Sequence, residues 1–206
     1  MHQTVLLDRR PHRDRPGQPF LGRLALTQAR VHELCGPARH TLAGIVAGGM
    51  EGPVIWVRPT WEGARVHGPG LARLMDPGRV VFVDAERPTD LLWTLEEALR
   101  SGVVPLVVGE LPGPPGLTPM RRLQLACEAG AGQGLRPLGL VLTPEGASPG
   151  GESRWHMTPA HALREEGWHL TRERHRQDPP RSWQVGVKGE GFALGTSLSP
   201  EGPLPH

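Results

Sequence analysis

The sequence predicts an α/β domain with a mostly parallel central sheet, extended at its C-terminal side by antiparallel strands. Three observations carry this prediction. Between residues 31 and 142, short β-branched or aliphatic runs alternate with turns and helix-like stretches, the pattern of right-handed crossovers onto a parallel sheet. Beyond Gly150 no amphipathic helix of useful length occurs, and Trp155, Trp168 and Trp183 recur in alternating polar text. A length of 206 residues at 37% apolar content supports one core with tails rather than two full domains.

Residues 1–22 read as a flexible basic arm, because Arg9, Arg10, Arg13 and Arg15 are broken by Pro11, Pro16 and Pro19 and bury little. Residues 23–192 form the domain. The run Val31 to Cys35 is a strand that ends at Gly36-Pro37, and Thr41 to Ala47 is small and apolar enough for a buried helix. Val54 to Val57 and Val80 to Val83 are strands expected to be buried on both faces. Thr89 is placed to cap a helix through Leu91, Leu92, Leu95 and Leu99 that stops at Ser101-Gly102. Val103 to Val108 is the strongest strand, with Pro105 at its start or edge. Thr118 opens a helix with Leu123, Leu125 and Ala126 inward, and Leu138 to Leu142 is a further strand. Arg154 to Met157, Trp168 to Arg174 and Trp183 to Val187 are the antiparallel additions, and residues 193–206 read as a disordered tail.

Lys188 is the one lysine, and a net charge of +2 creates no strong field for nucleic acid or an anionic membrane. Cys35 and Cys127 lack disulfide or zinc spacing. The ten histidines form no short metal pattern, and no Gly-x-Ser-x-Gly elbow occurs. The expectation is a cytoplasmic protein without metal, cofactor or membrane contact.

The turn between the first core strand and its helix is where a nucleotide-binding α/β protein cradles phosphate with glycines, a lysine and a Ser/Thr. Here it reads Gly36-Pro37-Ala38-Arg39-His40-Thr41, two residues short, without a second glycine or a lysine. ATP hydrolysis is therefore not expected, and catalytic residues are none. The structural reading is a tight strand-to-helix turn; weak anion binding through Arg39 or His40 is the alternative. After Val107-Val108, a glycine stands where a magnesium-positioning aspartate belongs, and strand alternation is expected to turn Glu110 to the opposite face.

With these pieces in order, the chain resembles the RecA family and, more closely, its ImuA branch. The resemblance is carried by Val31 to Pro37, Val54 to Val57, Asp76 to Val83, Asp90 to Gly102, Val107 to Leu111, Leu117 to Leu125 and Ser153 to Trp155, across roughly residues 31–190. Asp84-Ala85-Glu86 imitates a catalytic tripeptide of that family but falls on a later strand. The resemblance implies a RecA-like three-layer domain with a degenerate nucleotide-binding loop. It also implies accessory work in SOS-induced translesion DNA synthesis and mutagenesis. The partners it implies are an ImuB-like protein, an error-prone DNA polymerase and a RecA-type recombinase. The chain departs from longer relatives in lacking an extended helical segment before the core.

Arg172, Arg174 and Arg176 recur at every second residue, so a strand there projects a basic stripe toward partner or single-stranded DNA, with Trp168 or Trp183 for stacking. The competing reading is a solvated face balanced by Glu173 and Asp178. Arg121 and Arg122 mark a helix surface, partner-binding or merely solvated. Two function classes stay open: a non-catalytic adaptor, or a weak nucleotide- or single-stranded-DNA-binding protein. Exposed sheet edges and the apolar Leu24 to Leu26 segment point to a need for a partner.

Overall fold

The computed structural model describes residues 16–63, 65–162, 165–189 and 191–198. A hairpin of β1 (Gly17–Phe20) and β2 (Leu24–Thr27) precedes the alternating core: β3 (Val31–Cys35), α1 (Arg39–Gly48), β4 (Val54–Pro59), α2 (Gly68–Ala72), β5 (Val80–Ala85), α3 (Pro88–Ser101), β6 (Leu106–Glu110), α4 (Leu117–Gln133) and β7 (Leu138–Thr143). Four strands follow: β8 (Ser153–Pro159), β9 (Gly167–His175), β10 (Arg181–Lys188) and β11 (Gly191–Leu198). The main sheet has nine strands in the order β11-β10-β9-β8-β3-β7-β6-β4-β5. From β8 to β5 all neighbours are parallel, and β9, β10 and β11 continue antiparallel. The molecule is thus a mixed α/β domain around one multi-stranded sheet.

Strand alternation splits the core into two. Leu34, Trp56, Leu106, Val108, Leu140 and Trp155 face α1 and α2, where the hairpin adds Phe20, Leu24 and Leu26. Val31, Val57, Val107 and Val141 face the opposite way, against Leu91, Leu95 and Leu99 of α3 and Met120 and Leu123 of α4. Central β6 and β7 are buried on both faces, which is why their sequences are nearly continuous apolar runs.

Several expectations are corrected. Residues 17–20, assigned to the basic arm, are β1, and the rest of that arm, residues 1–15, lies outside the described residues. Leu24 and Leu26 of β2 are buried in the core on the α1 side rather than exposed. β11 runs into the segment assigned to a tail, of which residues 199–206 lie outside the described residues. β5 is the sheet edge, with Val81 exposed instead of covered on both faces. β8 joins β3 in parallel, because the long loop after β7 returns the chain to the same end of the sheet. Arg87 occupies the N-cap of α3, with Thr89 inside the helix, and Leu125 of α4 faces solvent.

Candidate functional site

The Gly36 to Thr41 turn lies between β3 and α1, and three of its amides are engaged. Gly36 N donates to Pro144 O at 3.1 Å, Ala38 N to Met157 O at 3.0 Å and Arg39 N to Gly36 O at 3.2 Å, while Pro37 has no N–H. Gly36 has φ 88°, and a Cβ there would stand 2.6 Å from Met157 O and 2.7 Å from His156 Nε2. The glycine end of the turn is packed against β8, so its amides do not converge on a ligand. Arg39 is turned back, donating to Gly36 O at 3.2 Å. The cap residue Ala38 supplies no side-chain acceptor and the first turn of α1 carries no acid.

Glu110, at the end of β6, lies on the α1 side of the sheet, on the face opposite Gly109 as alternation requires. Leu106 and Val108 point toward α1, so alternation carries Glu110 there too, whereas Gly109 faces α3. It is the glycine, not the acid, that turns away from α1. A Cβ on Gly109 would be 2.4 Å from Leu95 Cδ1, so the glycine is needed for helix packing. Trp56 Nε1 donates to Glu110 Oε1 at 2.6 Å, and His40 Nε2 lies 3.4 Å from Glu110 Oε2. The His40 and Trp56 rings are stacked at 6.5 Å with an 11° interplanar angle. Burial alone would raise the Glu110 pKa, but His40, Trp56 and Arg39 outweigh it and hold the carboxyl below its usual range.

His40 and Thr41 open on a cleft of about 240 Å³ lined also by Arg65, His67, Leu71 and Leu74. A neighbouring cleft of about 270 Å³ reaches from Pro37 and Thr41 to Trp168 and is bridged by Arg73, whose guanidinium donates to both oxygens of Glu166 at 2.9 and 2.6 Å. Asp84 takes Arg58 at 2.6 Å and Arg65 at 3.2 Å, a paired surface acid on β5. Burial pushes the Cys35 and Cys127 thiols up to about 12, so neither is a ready nucleophile. Among the described residues no group of three metal-ligating side chains occurs.

The basic stripe is broken. In the β8–β9 register Arg172 stands opposite Trp155 and Arg174 opposite Arg154, so Glu173 is an inserted residue and the two arginines lie on different faces. Arg172 lies over the Trp155 and Trp183 rings at 5.7 and 5.6 Å and donates to Asp178 at 2.7 Å. Arg174 donates to Gly151 O at 2.7 Å, and Arg176 lies beyond β9 with Nε 3.4 Å from Glu152. Arg122 of α4 pairs with Glu96 of α3 at 2.7 Å, and Arg121 is exposed.

Sequence reasoning passed over His32 and Glu33, although both lie inside the Val31 to Cys35 run. Glu33 is fully buried and accepts from Thr143 Oγ1 at 2.9 Å, Ser148 Oγ at 2.6 Å, Ser148 N at 3.0 Å, Ala147 N at 3.2 Å and Arg154 Nε at 2.7 Å. On the other face Trp155 Nε1 donates to Ser153 Oγ at 2.7 Å, and His32 Nδ1 meets Ser153 Oγ at 2.6 Å. His32 Nε2 meets Thr27 O at 3.0 Å, which ties the hairpin to the β3–β8 seam. Two adjacent polar residues, His32 and Glu33, inside a fully buried strand are the signal that identifies such a seam.

No family model matches the chain. Proteins named "Protein ImuA" from two strains of Caulobacter vibrioides are each 33% identical to it over 161 residues, covering 68% of this chain and 62% of the relative. The chain therefore spans less than two thirds of the curated relatives it matches, and the similarity establishes a broad relationship to ImuA proteins.

Proposed function

We propose that this chain is an ImuA-family accessory protein of SOS-induced translesion DNA synthesis, with a RecA-like three-layer fold, and that it acts through protein contacts rather than turnover. The observation that supports this reading is the state of the turn before α1. The amides of Gly36, Ala38 and Arg39 are bonded to Pro144, Met157 and Gly36, and the nearby acid, Glu110, is held by His40 and Trp56. A phosphate-binding loop works by converging free N–H groups on an anion. Here three of those groups have protein acceptors and Pro37 has no N–H, so freeing the turn for a nucleotide would cost up to three hydrogen bonds.

The partners fitting this role are an ImuB-like protein, an error-prone polymerase and a RecA-type recombinase, met in the cytoplasm. No described helix is long and apolar enough to cross a membrane. The test is purification of the tagged protein from DNA-damaged cells, beside an ATP titration of the isolated chain. Recovery of polymerase or recombinase components without ATP binding is the expected result. Tight magnesium-dependent ATP binding with no such partners would overturn the reading in favour of a nucleotide-binding protein.

A further inference from the structure

The β1–β2 hairpin is built as a separate piece. Its strands pair with each other as a two-stranded sheet, apart from the nine-stranded one. Side chains fasten it to the α1 face: Phe20, Leu21, Leu24 and Leu26 are buried there, and the Phe20 ring meets Trp155 edge-on at 5.2 Å. At its rim Gln18 Nε2 donates to Gly49 O at 2.8 Å, and His32 Nε2 meets Thr27 O at 3.0 Å. Each of these contacts joins a residue before the link at 28–30 to one after it.

That link is short and strained. It spans three residues between β2 and β3, and Ala29 holds φ 56°, the left-handed region that an alanine enters only at a cost. Gln28 N donates to Pro16 O at 3.0 Å, which folds the link back against the start of β1. The strain at Ala29 is thus part of laying the hairpin on its own core. Leu21, at φ 46°, lies in the tip of the hairpin, so its conformation is the same on whichever core the hairpin docks.

An element on a short strained link can dock on a second copy through the contacts it makes on its own, and the link then extends and loses its strain. We propose that the α1 face also receives the hairpin of a second copy, giving a two-fold dimer in which β1 and β2 are exchanged. The occupant follows from contacts already present, since the surface beneath the hairpin matches Phe20, Leu24 and Leu26. The arrangement is isologous and closes after two copies. Exchange requires four buried apolar side chains to leave their core, so monomer and dimer interconvert through local unfolding and do so slowly. This association does not depend on the accessory-protein reading.

The test mixes two variants of the full chain, Gln18→Cys and Gly49→Cys, unfolds them together in urea, refolds them at high protein concentration and then adds a short bismaleimide. Cys35 and Cys127 are buried and stay out of the reaction. A covalent heterodimer is the expected product, because residue 18 of one copy then lies beside residue 49 of the other. The double variant on one chain, refolded dilute, gives an intramolecular link that calibrates the yield. Light scattering then follows the link itself. Ala29→Gly should weaken dimerisation about thirtyfold, one left-handed alanine being relieved in each of two monomers. Ala29→Pro, whose φ is fixed at about −65°, should shift the chain towards dimer. Thermal unfolding checks that each variant folds; if Ala29→Pro does not, the cross-link and Ala29→Gly decide. A chain that stays monomeric with no 18–49 link between copies overturns the proposal. A dimer that Ala29→Gly leaves unchanged also overturns it, because its interface lies elsewhere.

Discussion

Glu33 and Glu110 are both buried acids on core strands, each with a basic residue beside it, yet the protein treats them differently. Glu33 sits in the β3–β8 seam with hydroxyl, amide and guanidinium donors on both oxygens. Glu110 sits at the mouth of α1 with Trp56 inside and a half-exposed His40 outside. The first arrangement is closed and joins β3 to β8, the strand from which the antiparallel extension continues. The second is an acid at the C-terminal end of a strand, held by a histidine and a tryptophan. A saturated acid is structural; a partly paired one sets what the site can still bind.

The largest effect that would break this contrast is at the seam. Arg154→Ala leaves the Glu33 carboxylate buried without its cation, which should cost roughly 3 to 5 kcal/mol, and Ser148→Ala should cost about 1 to 2 kcal/mol. Urea denaturation reads both. A loss below about 1 kcal/mol for Arg154→Ala would mean that the clamp does not hold the seam.

Acid should dismantle the same seam. Burial lowers the His32 pKa to about 4 despite its bond to Thr27. Its folded pKa is therefore below the unfolded value, so the unfolded chain binds the proton first. Stability present above about pH 6.5 is lost as pH falls toward 4, by roughly 3 kcal/mol at most. Glu33 is depressed as well: burial raises it, and Ser148, Arg154 and Thr143 more than reverse that, so its contribution is lost at lower pH still. His175, lowered by burial, shares the upper window. His32→Asn should flatten the stability profile between pH 6.5 and 4; an unchanged slope would assign it to His175.

These two sites show where sequence reading succeeds. β6 and β7 were legible because strands buried on both faces need unbroken apolar text, and α3 because its leucines recur at helical spacing. The shortness of the Gly36 to Thr41 turn and its lack of a lysine were equally plain, being matters of length and residue type. The face of Glu110 was not, since alternation gives parity but not which parity points inward. That required knowing that Leu95 packs on Gly109. The broken arginine stripe depended on one inserted residue, Glu173, which no periodicity announces.

At the mouth the expected effects are smaller. Glu110→Gln keeps an acceptor for Trp56 Nε1 but gives up its charge, and should cost about 1 kcal/mol. His40→Ala should cost less, because that ring is partly in solvent. The Glu110 pKa is depressed, so this contribution is present above the ordinary carboxylate range and lost as pH falls below it. If Glu110→Gln instead created measurable ATP or phosphate binding in a calorimetric titration, the carboxylate would be an electrostatic block on an otherwise competent turn.

The smallest expected change is in DNA binding on the antiparallel extension. A nonspecific single-strand site loses about 0.7 from its salt slope for each phosphate contact removed. Arg172 is committed to Asp178 and two tryptophans, Arg174 to Gly151 O, and the bulge puts them on different faces. Only Arg176, beyond the strand, is positioned at the surface with a loosely held guanidinium. Triple replacement by alanine should therefore change the salt dependence of oligonucleotide binding by less than one contact's worth, about 0.7. A fall of about 2 would mean all three reach phosphate, which requires the bulge to straighten and Arg172 to leave the Trp155 and Trp183 rings. Loss of that cation–π packing would then appear as a change in tryptophan fluorescence on DNA addition, separating a rearranged wing from a rigid one that carries no phosphate.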